Sequence, residues 1–259
     1  NLILLRFRFE VRKLIDKKLP LKFRLRIVGY RGNIPKWKKI LHSLDSINYQ
    51  LGPVSFVSEQ DEFLFDFLNN SKKLSIPIEW CQPDMSRLWN FNLHYFDWAR
   101  KLVDQSISNN FWSDEITLLD KIIDDWIDQN KPGFGDGWHS YTLSLRIRNW
   151  IYLFRIFPEL VSEKKLTSLW IQICWLNSHK EICYGGNHLL ENLITLIIGS
   201  LQFEGEYASK IYLKTTSMLK DELYYQILPD GGHFERTAAY HFLVLDRLIE
   251  LAFMIEGTL

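Results

Sequence analysis

Cysteine is scarce in this sequence: Cys81, Cys174 and Cys183 are the only three in 259 residues. They lack the paired spacing of a metal site, and three cannot all pair with one another, so they read as buried thiols that leave the compartment open. No apolar run approaches the roughly 18 residues needed to span a bilayer, which excludes a transmembrane segment. The start, "NLILLRFRFE", has no Met and too short an apolar stretch for a signal peptide. The end, "HFLVLDRLIELAFMIEGTL", stops inside an apolar helical pattern, so the chain reads as an excerpt of a longer protein. There is no HxxxH pair and no Cys/His cluster, so no metal is expected. "PGFGDG" (residues 132–137) lacks the strand context of a nucleotide fingerprint, so no cofactor is expected. Nucleic-acid motifs are missing as well, and no nucleic-acid partner is expected.

Aromatic residues, by contrast, are abundant: 15% of the chain, with ten Trp. Such a surplus suits a core, and it also suits stacking on the apolar faces of sugar rings; the core is the commoner use. Net charge is zero but lopsided. Residues 1–40 hold 13 Lys/Arg against Glu10 and Asp16, about +11, and the remainder, with 31 − 13 = 18 basic and 31 − 2 = 29 acidic residues, is about −11. A basic arm of this kind suits a membrane surface, a nucleic acid or an acidic glycan, or is simply a solvated amphipathic lead-in.

Residues 1–75 read as mixed: "LKFRLRIVGY" (21–30) alternates like a strand, and "IPKWKKILHSL" (34–44) reads as a short helix. "NNSKKLSIPIEWCQPDMS" (69–86) is loop-rich. From about residue 90 strand signals disappear. Helical patterns cover "NLHYFDWARKLVDQ" (92–105), residues 113–130 with Ser113 as N-cap and acids in the first turn, then 140–157, 163–179, 187–203, 206–228 and 235–255. "KPGFGDG" (131–137) interrupts them.

Every second helix begins with an aromatic-polar cluster: "WNFNLHYF", "WHSYTLSLR", "GGNHLLEN" and "GGHFERTAAYH". Taking His94, Tyr141, His188 and Glu235, the steps 141 − 94, 188 − 141 and 235 − 188 are each 47. A period in the forties on a helical chain is one helical hairpin per repeat. Hairpins packed side by side curl into an α/α toroid whose inner helices aim equivalent ends at one mouth. The fold expected is mainly all-α, an incomplete α/α toroid of helical hairpins with a small mixed N-terminal segment. Residues 1–75 form the basic lead-in and 76–259 the toroid.

"LWNFNLHYFDW", "WHSYTLSLRIRNWI", "GGNHLLENL" and "DGGHFERTAAYH" together resemble the N-terminal toroid of heparinase II/III-like and alginate-lyase-like polysaccharide lyases, over roughly residues 60–259. The resemblance implies β-elimination on an acidic, uronic-acid-containing polysaccharide or oligosaccharide, with a periplasmic or secreted location. That chemistry needs a donor to neutralise the carboxylate, a base for the proton beside it, and an acid for the leaving oxygen. By resemblance Asn187 is the neutralising amide, His188 a base, and Tyr240 the acid, or acid and base both. A phenol with an ordinary pKa of about 10 does both only near positive charge. Arg236, one helical turn before Tyr240, is the candidate source, and Glu235 would hold Arg236 or His188. His241, His233 and Arg146 are further substrate-binding candidates, as are His94, Tyr95, Trp138 and Tyr141. Family members carry a C-terminal β-sandwich and a further important His from that side, and neither lies in these residues.

Each residue also has a plainer reading: Asn187 as a helix N-cap, Glu235–Arg236 as a helix-start ion pair, Tyr240 and the Trp side chains as packing. Two other functions compete. An inverting glycosidase on the same fold would need two carboxyl groups, and Asp136 and Asp230 are the candidates. The other is a non-catalytic acidic-glycan-binding protein of a surface-polysaccharide pathway.

Overall fold

The computed structural model describes residues 2–38, 58–59, 62–100, 102 and 113–255. Its chain divides into two compact units, Leu41–Leu169 and Asn1–Ile40 with Trp170–Leu259. The boundary expected at residue 75 falls inside the first of these.

In the unit 41–169, strands β1 (Ser58–Glu59), β2 (Glu62–Phe67) and β3 (Asn70–Ser75) form an antiparallel sheet in that order. Alternation puts Phe63, Phe65 and Phe67 of β2 inward. The β2–β3 turn is Leu68–Asn69, both with positive φ, which suits the twist of a tight hairpin. Residues 70–75 thus form a strand where a loop was expected. Only Leu74 of that polar strand is buried, so it carries no alternation signal. Helix α3 (Arg87–Tyr95) starts at Ser86, whose Oγ accepts a hydrogen bond from the Trp89 amide at 3.1 Å. Helix α4 spans Ser113–Gln129 and α5 spans Ser140–Ile156. Helices α3 and α5, alternate in sequence, pack against each other.

The continuous helix expected over 92–105 is broken at Phe96, which takes a left-handed φ of 64° before residues 97–100 resume the helix; residues 103–105 lie outside the described ones. A bulky residue adopts that conformation only when its surroundings over-determine it. Phe96 is fully buried, with ring centroids 5.7 Å from Trp80, 5.0 Å from Trp98 and 5.5 Å from Trp150. Trp126 joins the same cluster edge-on to Trp150. Among the described residues of this unit the Trp side chains are therefore core, and Asp125 secures the cluster by accepting from Trp80 Nε1 at 2.8 Å and the Ile78 amide at 3.1 Å.

In the other unit, α1 (Leu2–Lys18) and α2 (Leu21–Ile27) precede α6 (Glu163–Ser178, which crosses the unit boundary), α7 (Gly186–Leu201), α8 (Glu206–Gln226) and α9 (Ala238–Ile255). The strand expected over 21–30 is a helix: Arg24 and Val28, four apart, turn inward, which is a helical period. The helix expected over 34–44 does not start. Trp37 instead bridges to Phe203, with Lys38 donating to the Gln202 carbonyl at 2.8 Å, and residues 39–44 lie outside the described ones. Helix α7 is apolar on nearly all sides and accordingly buried, packing against α8 and α9. Of the three thiols only Cys174 is buried, and burial pushes its pKa up; Cys183 is half-buried and Cys81 exposed, against the expectation for all three.

Helix α1 is fastened by a buried acid. The Asp16 carboxylate accepts from His179 Nε2 at 2.7 Å, while His179 Nδ1 donates to the Trp175 carbonyl at 3.0 Å and its ring stacks on Trp175. Arg12 adds a bond to the Ser178 hydroxyl. Removing one member of a buried charge-assisted pair strands the other. Asp16→Ala is expected to lower unfolding stability by about 3 kcal/mol in urea titrations and to expose α1 to proteolysis before the rest.

Candidate functional site

Two glycine turns in the unit containing α7–α9 carry the residues of interest. Gly185 and Gly186 both take positive φ, 61° and 53°, a combination L side chains avoid, and they swing the chain from the Glu181–Tyr184 turn into α7. Gly185 occupies the N-cap position, with no side-chain capping bond. Asn187 therefore lies within the first helical turn and is not the cap. Its Oδ1 is buried with no hydrogen-bond partner among the described residues. A buried acceptor left in that state costs about 1–3 kcal/mol unless water or a ligand reaches it.

His188 follows, half its side chain exposed. Its Nδ1 lies 3.2 Å from Oε1 of Glu181, a carboxylate only 2% exposed. Asn192, one turn further along α7, anchors that carboxylate: its Oδ1 accepts from the Glu181 amide at 2.8 Å and its Nδ2 donates to Oε2 at 3.4 Å. The hydrogen bond that His188 donates to Glu181 raises its pKa above the ordinary 6.5; burial opposes this, and the charges of Glu181 and Glu191 add to the rise. Glu191, 1% exposed, is bound in turn by Arg247 Nε at 2.7 Å. Burial would lower the Arg247 pKa, but Glu191 and Glu250 outweigh it and hold the guanidinium firmly charged.

The second turn, Leu228–Thr237, leads into α9. Asp230 Oδ1 accepts from the Gly232 amide at 2.9 Å, closing an Asx turn. Arg236 takes a left-handed φ of 53°, and Thr237 Oγ1 accepts from the Tyr240 amide at 3.3 Å at the start of α9. Arg236 and Tyr240 are therefore not neighbours on one helix face, which removes the basis for that expected pairing. Glu235 and Arg236 are both exposed and neither forms an ion pair among the described residues; Glu181, not Glu235, holds His188. Tyr240 is 40% exposed, open to solvent, with its ring 6.2 Å from that of His233. His241, partly exposed, lies edge-on to Phe242.

One side chain ties the two turns together. Gln226, the last residue of α8 and 3% exposed, donates from Nε2 to the Gly186 carbonyl at 3.2 Å and to Glu222 Oε2 at 2.9 Å. Its Oε1 is thereby fixed as the acceptor for His233 Nε2 at 3.3 Å, and His233 Nδ1 accepts from the Glu235 amide at 3.4 Å. His233, expected to bind substrate, is 2% exposed and spends both ring nitrogens on this bridge.

Candidates in the unit 41–169 are mostly interior. His94 is buried: Nδ1 accepts from Trp126 Nε1 at 3.0 Å, and burial, then Arg146, push its pKa down to about 3. Arg146 is fully buried over the Trp126 ring at 3.8 Å, donating to the Gly137 carbonyl at 2.7 Å; burial holds its pKa well below the usual range. Trp138 is buried and donates to the Asn130 carbonyl at 3.1 Å. None of the three is open to a sugar. Tyr95 is 8% exposed and stands edge-on to the partly exposed Tyr141. Arg87 clamps Asp136 through Nε at 3.0 Å and Nη2 at 2.8 Å, so both carboxylates of the glycosidase alternative already have partners.

Glu181, Glu191, Asn192, Gln226 and Arg247 were not among the expected site residues. The one sequence signal for some of them is charge inside an apolar helix: Glu191 in "LLENLITLIIG" and Arg247 in "LVLDRLIEL".

Residues 77–258 match the family described as heparinase II/III N-terminus. A solved heparan sulfate lyase, HepC from Pedobacter heparinus, is similar with a TM-score of 0.57 and 18% identity over 72% of this chain and 31% of its own. A mutant of the same lyase gives 0.58 and 16%, covering 91% of this chain and 39% of its own. A further structure, described as heparinase III, the BT4657 gene product, gives 0.53 and 18%, covering 71% and 33%. The chain thus spans about a third of the length of these solved lyases, and the fold it shares with them is that of their α/α toroid. No match is found among curated proteins.

The raised His188 pKa is a stability contribution present in full below the ordinary value and lost as pH rises through the raised one. An NMR titration of the His188 ring is expected to give a midpoint above 6.5, and Glu181→Gln to bring it down.

Proposed function

Because the chain belongs to the heparinase II/III N-terminal family of polysaccharide lyases, we propose that the two turns bridged by Gln226 form part of a site that cleaves uronic-acid-containing glycans by β-elimination. The observation that carries this reading is the bridge itself. It couples the turn bearing Asn187 and His188 to the turn before Tyr240, and His188 and Tyr240 both reach solvent.

In this reading the Asn187 amide engages the uronate carboxylate and spreads the charge that builds there as the neighbouring carbon loses its proton. His188 takes that proton on Nε2 while its Nδ1 stays bonded to Glu181. Tyr240 gives its phenolic proton to the departing glycosidic oxygen as the carbon–oxygen bond breaks. The electron pair of the broken C–H bond becomes the new carbon–carbon double bond, and the product is an unsaturated uronate with a new ultraviolet absorbance. In this reading Arg236 and Glu235, both exposed, together with His241, contact flanking sugars. A periplasmic or secreted location suits a polymeric substrate, and among the described residues no helix is long and apolar enough to cross a membrane.

The test is a panel of acidic polysaccharides read by unsaturated-product absorbance. Turnover on at least one uronate polymer is expected. Tyr240→Phe is expected to lower kcat by about 100-fold or more, and Asn187→Ala by about 100- to 1,000-fold. The acid limb of kcat/KM should lie above 6.5, because a base must be unprotonated and the His188 pKa is raised. Uronate-glycan binding that survives Tyr240→Phe, with no turnover by the wild type, would establish the non-catalytic binding role instead.

A further inference from the structure

The first two helices present a face that the proposed lyase site does not use. Their inward side is fixed. Asp16 is bound to His179 and Arg12, Phe9 stands edge-on to Tyr184, Arg24 and Val28 are buried, and the Tyr207 hydroxyl donates to the Val28 carbonyl. The only other acid of this segment, Glu10, accepts from the Tyr184 hydroxyl at 3.3 Å. Both acids among residues 1–40 are thus engaged by the body of the unit.

The outward side is left with cations and large apolar groups. On α1, Phe7 and Leu14 are seven residues apart, hence on one helix face, and are 64% and 62% exposed. On α2, Phe23 and Ile27, four apart, are 58% and 53% exposed. Arg8, Lys17, Lys18, Lys22 and Arg26 are exposed on the same two helices, and none of them forms an ion pair among the described residues.

The partner follows from the combination. A hydrated polyanion, whether glycan or nucleic acid, would satisfy the cations but leave Phe7, Leu14, Phe23 and Ile27 in water. An apolar protein groove would take these four but strand the cations. A bilayer carrying anionic headgroups takes both: the basic groups gain on the order of 1 kcal/mol each near such a surface, and the apolar side chains enter the headgroup–acyl boundary. Residues beyond the first 40 carry a net charge of about −11 by subtraction, so the same surface would repel the rest of the chain and orient it outward. We infer that α1 and α2 form a preformed docking face for an anionic membrane surface, lying on the bilayer without spanning it.

Co-sedimentation of the whole chain with vesicles tests this. Partition into vesicles of phosphatidylcholine with about one third phosphatidylglycerol is expected to exceed that into phosphatidylcholine alone by at least roughly tenfold and to weaken with salt. The combined variant Phe7→Ser, Leu14→Ser, Phe23→Ser and Ile27→Ser should lose about tenfold or more of that partition at low salt while keeping its circular-dichroism melt, since all four groups are exposed. A second variant, Lys17→Glu, Lys18→Glu and Lys22→Glu, leaves the apolar groups in place and should lose the preference for the anionic lipid. Equal partition of wild type and both variants would overturn the inference. So would binding to soluble heparin, undiminished by the serine changes, without binding to either vesicle.

Discussion

A single buried amide organises the region around Asn187 and Tyr240. Gln226 has one donating end and one accepting end, and the Gly186 carbonyl decides which is which. Once Nε2 is spent on Gly186 and Glu222, Oε1 has to accept, and His233 has to present a protonated Nε2 to it. The tautomer of His233 follows from that choice. The two turns, separated by α7 and α8, are held together by the last side chain of α8. A buried amide suits this task better than an apolar contact, because a hydrogen bond fixes direction as well as distance.

Charge is distributed with the same economy. Glu181 and Glu191 are buried beneath the start of α7, a costly position for carboxylates, and each has a specific partner: Asn192 and His188 for the first, Arg247 for the second. Asn187, between them in sequence, has the opposite character, a half-buried amide whose Oδ1 the described residues leave unsatisfied. The left-handed Arg236 and the paired left-handed glycines at 185–186 mark the same two turns as the places where backbone conformation is unusual.

The helical body from residue 113 onward was legible because 3.6-residue periodicity and turn-forming glycines are local properties. The glycine turns beside Asn187, His188 and Tyr240 were legible for a related reason: polar residues clustered at such turns stand out against apolar helices. The 47-residue spacing was a weaker guide. His94 sits in the last turn of α3, Tyr141 and His188 sit in the first turns of α5 and α7, and Glu235 falls in the turn before α9. A repeat of position along the chain does not fix depth. His94, Arg146 and Trp138 share the residue types of a sugar site, and the Trp126 cluster absorbed them into the interior. Phe96 shows the converse, since nothing in "NLHYFDWARK" announces a left-handed residue packed among the rings of Trp80, Trp98 and Trp150.

The amino-acid sequence by itself determined where helices and turns fall, that the fold is all-α over most of its length, that the first 40 residues are strongly basic, and which turns carry imidazole, amide and phenol. Those follow from periodicity, composition and glycine conformation, which act over a few residues. Only the tertiary structure decided that Glu181 rather than Glu235 holds His188, that Gln226 joins the two turns, that Asp16 is spent on His179, and which cations and aromatics face outward. Each of these is a pairing across seven to more than 160 residues. Such pairings depend on how helices pack in space, and no local pattern encodes that distance.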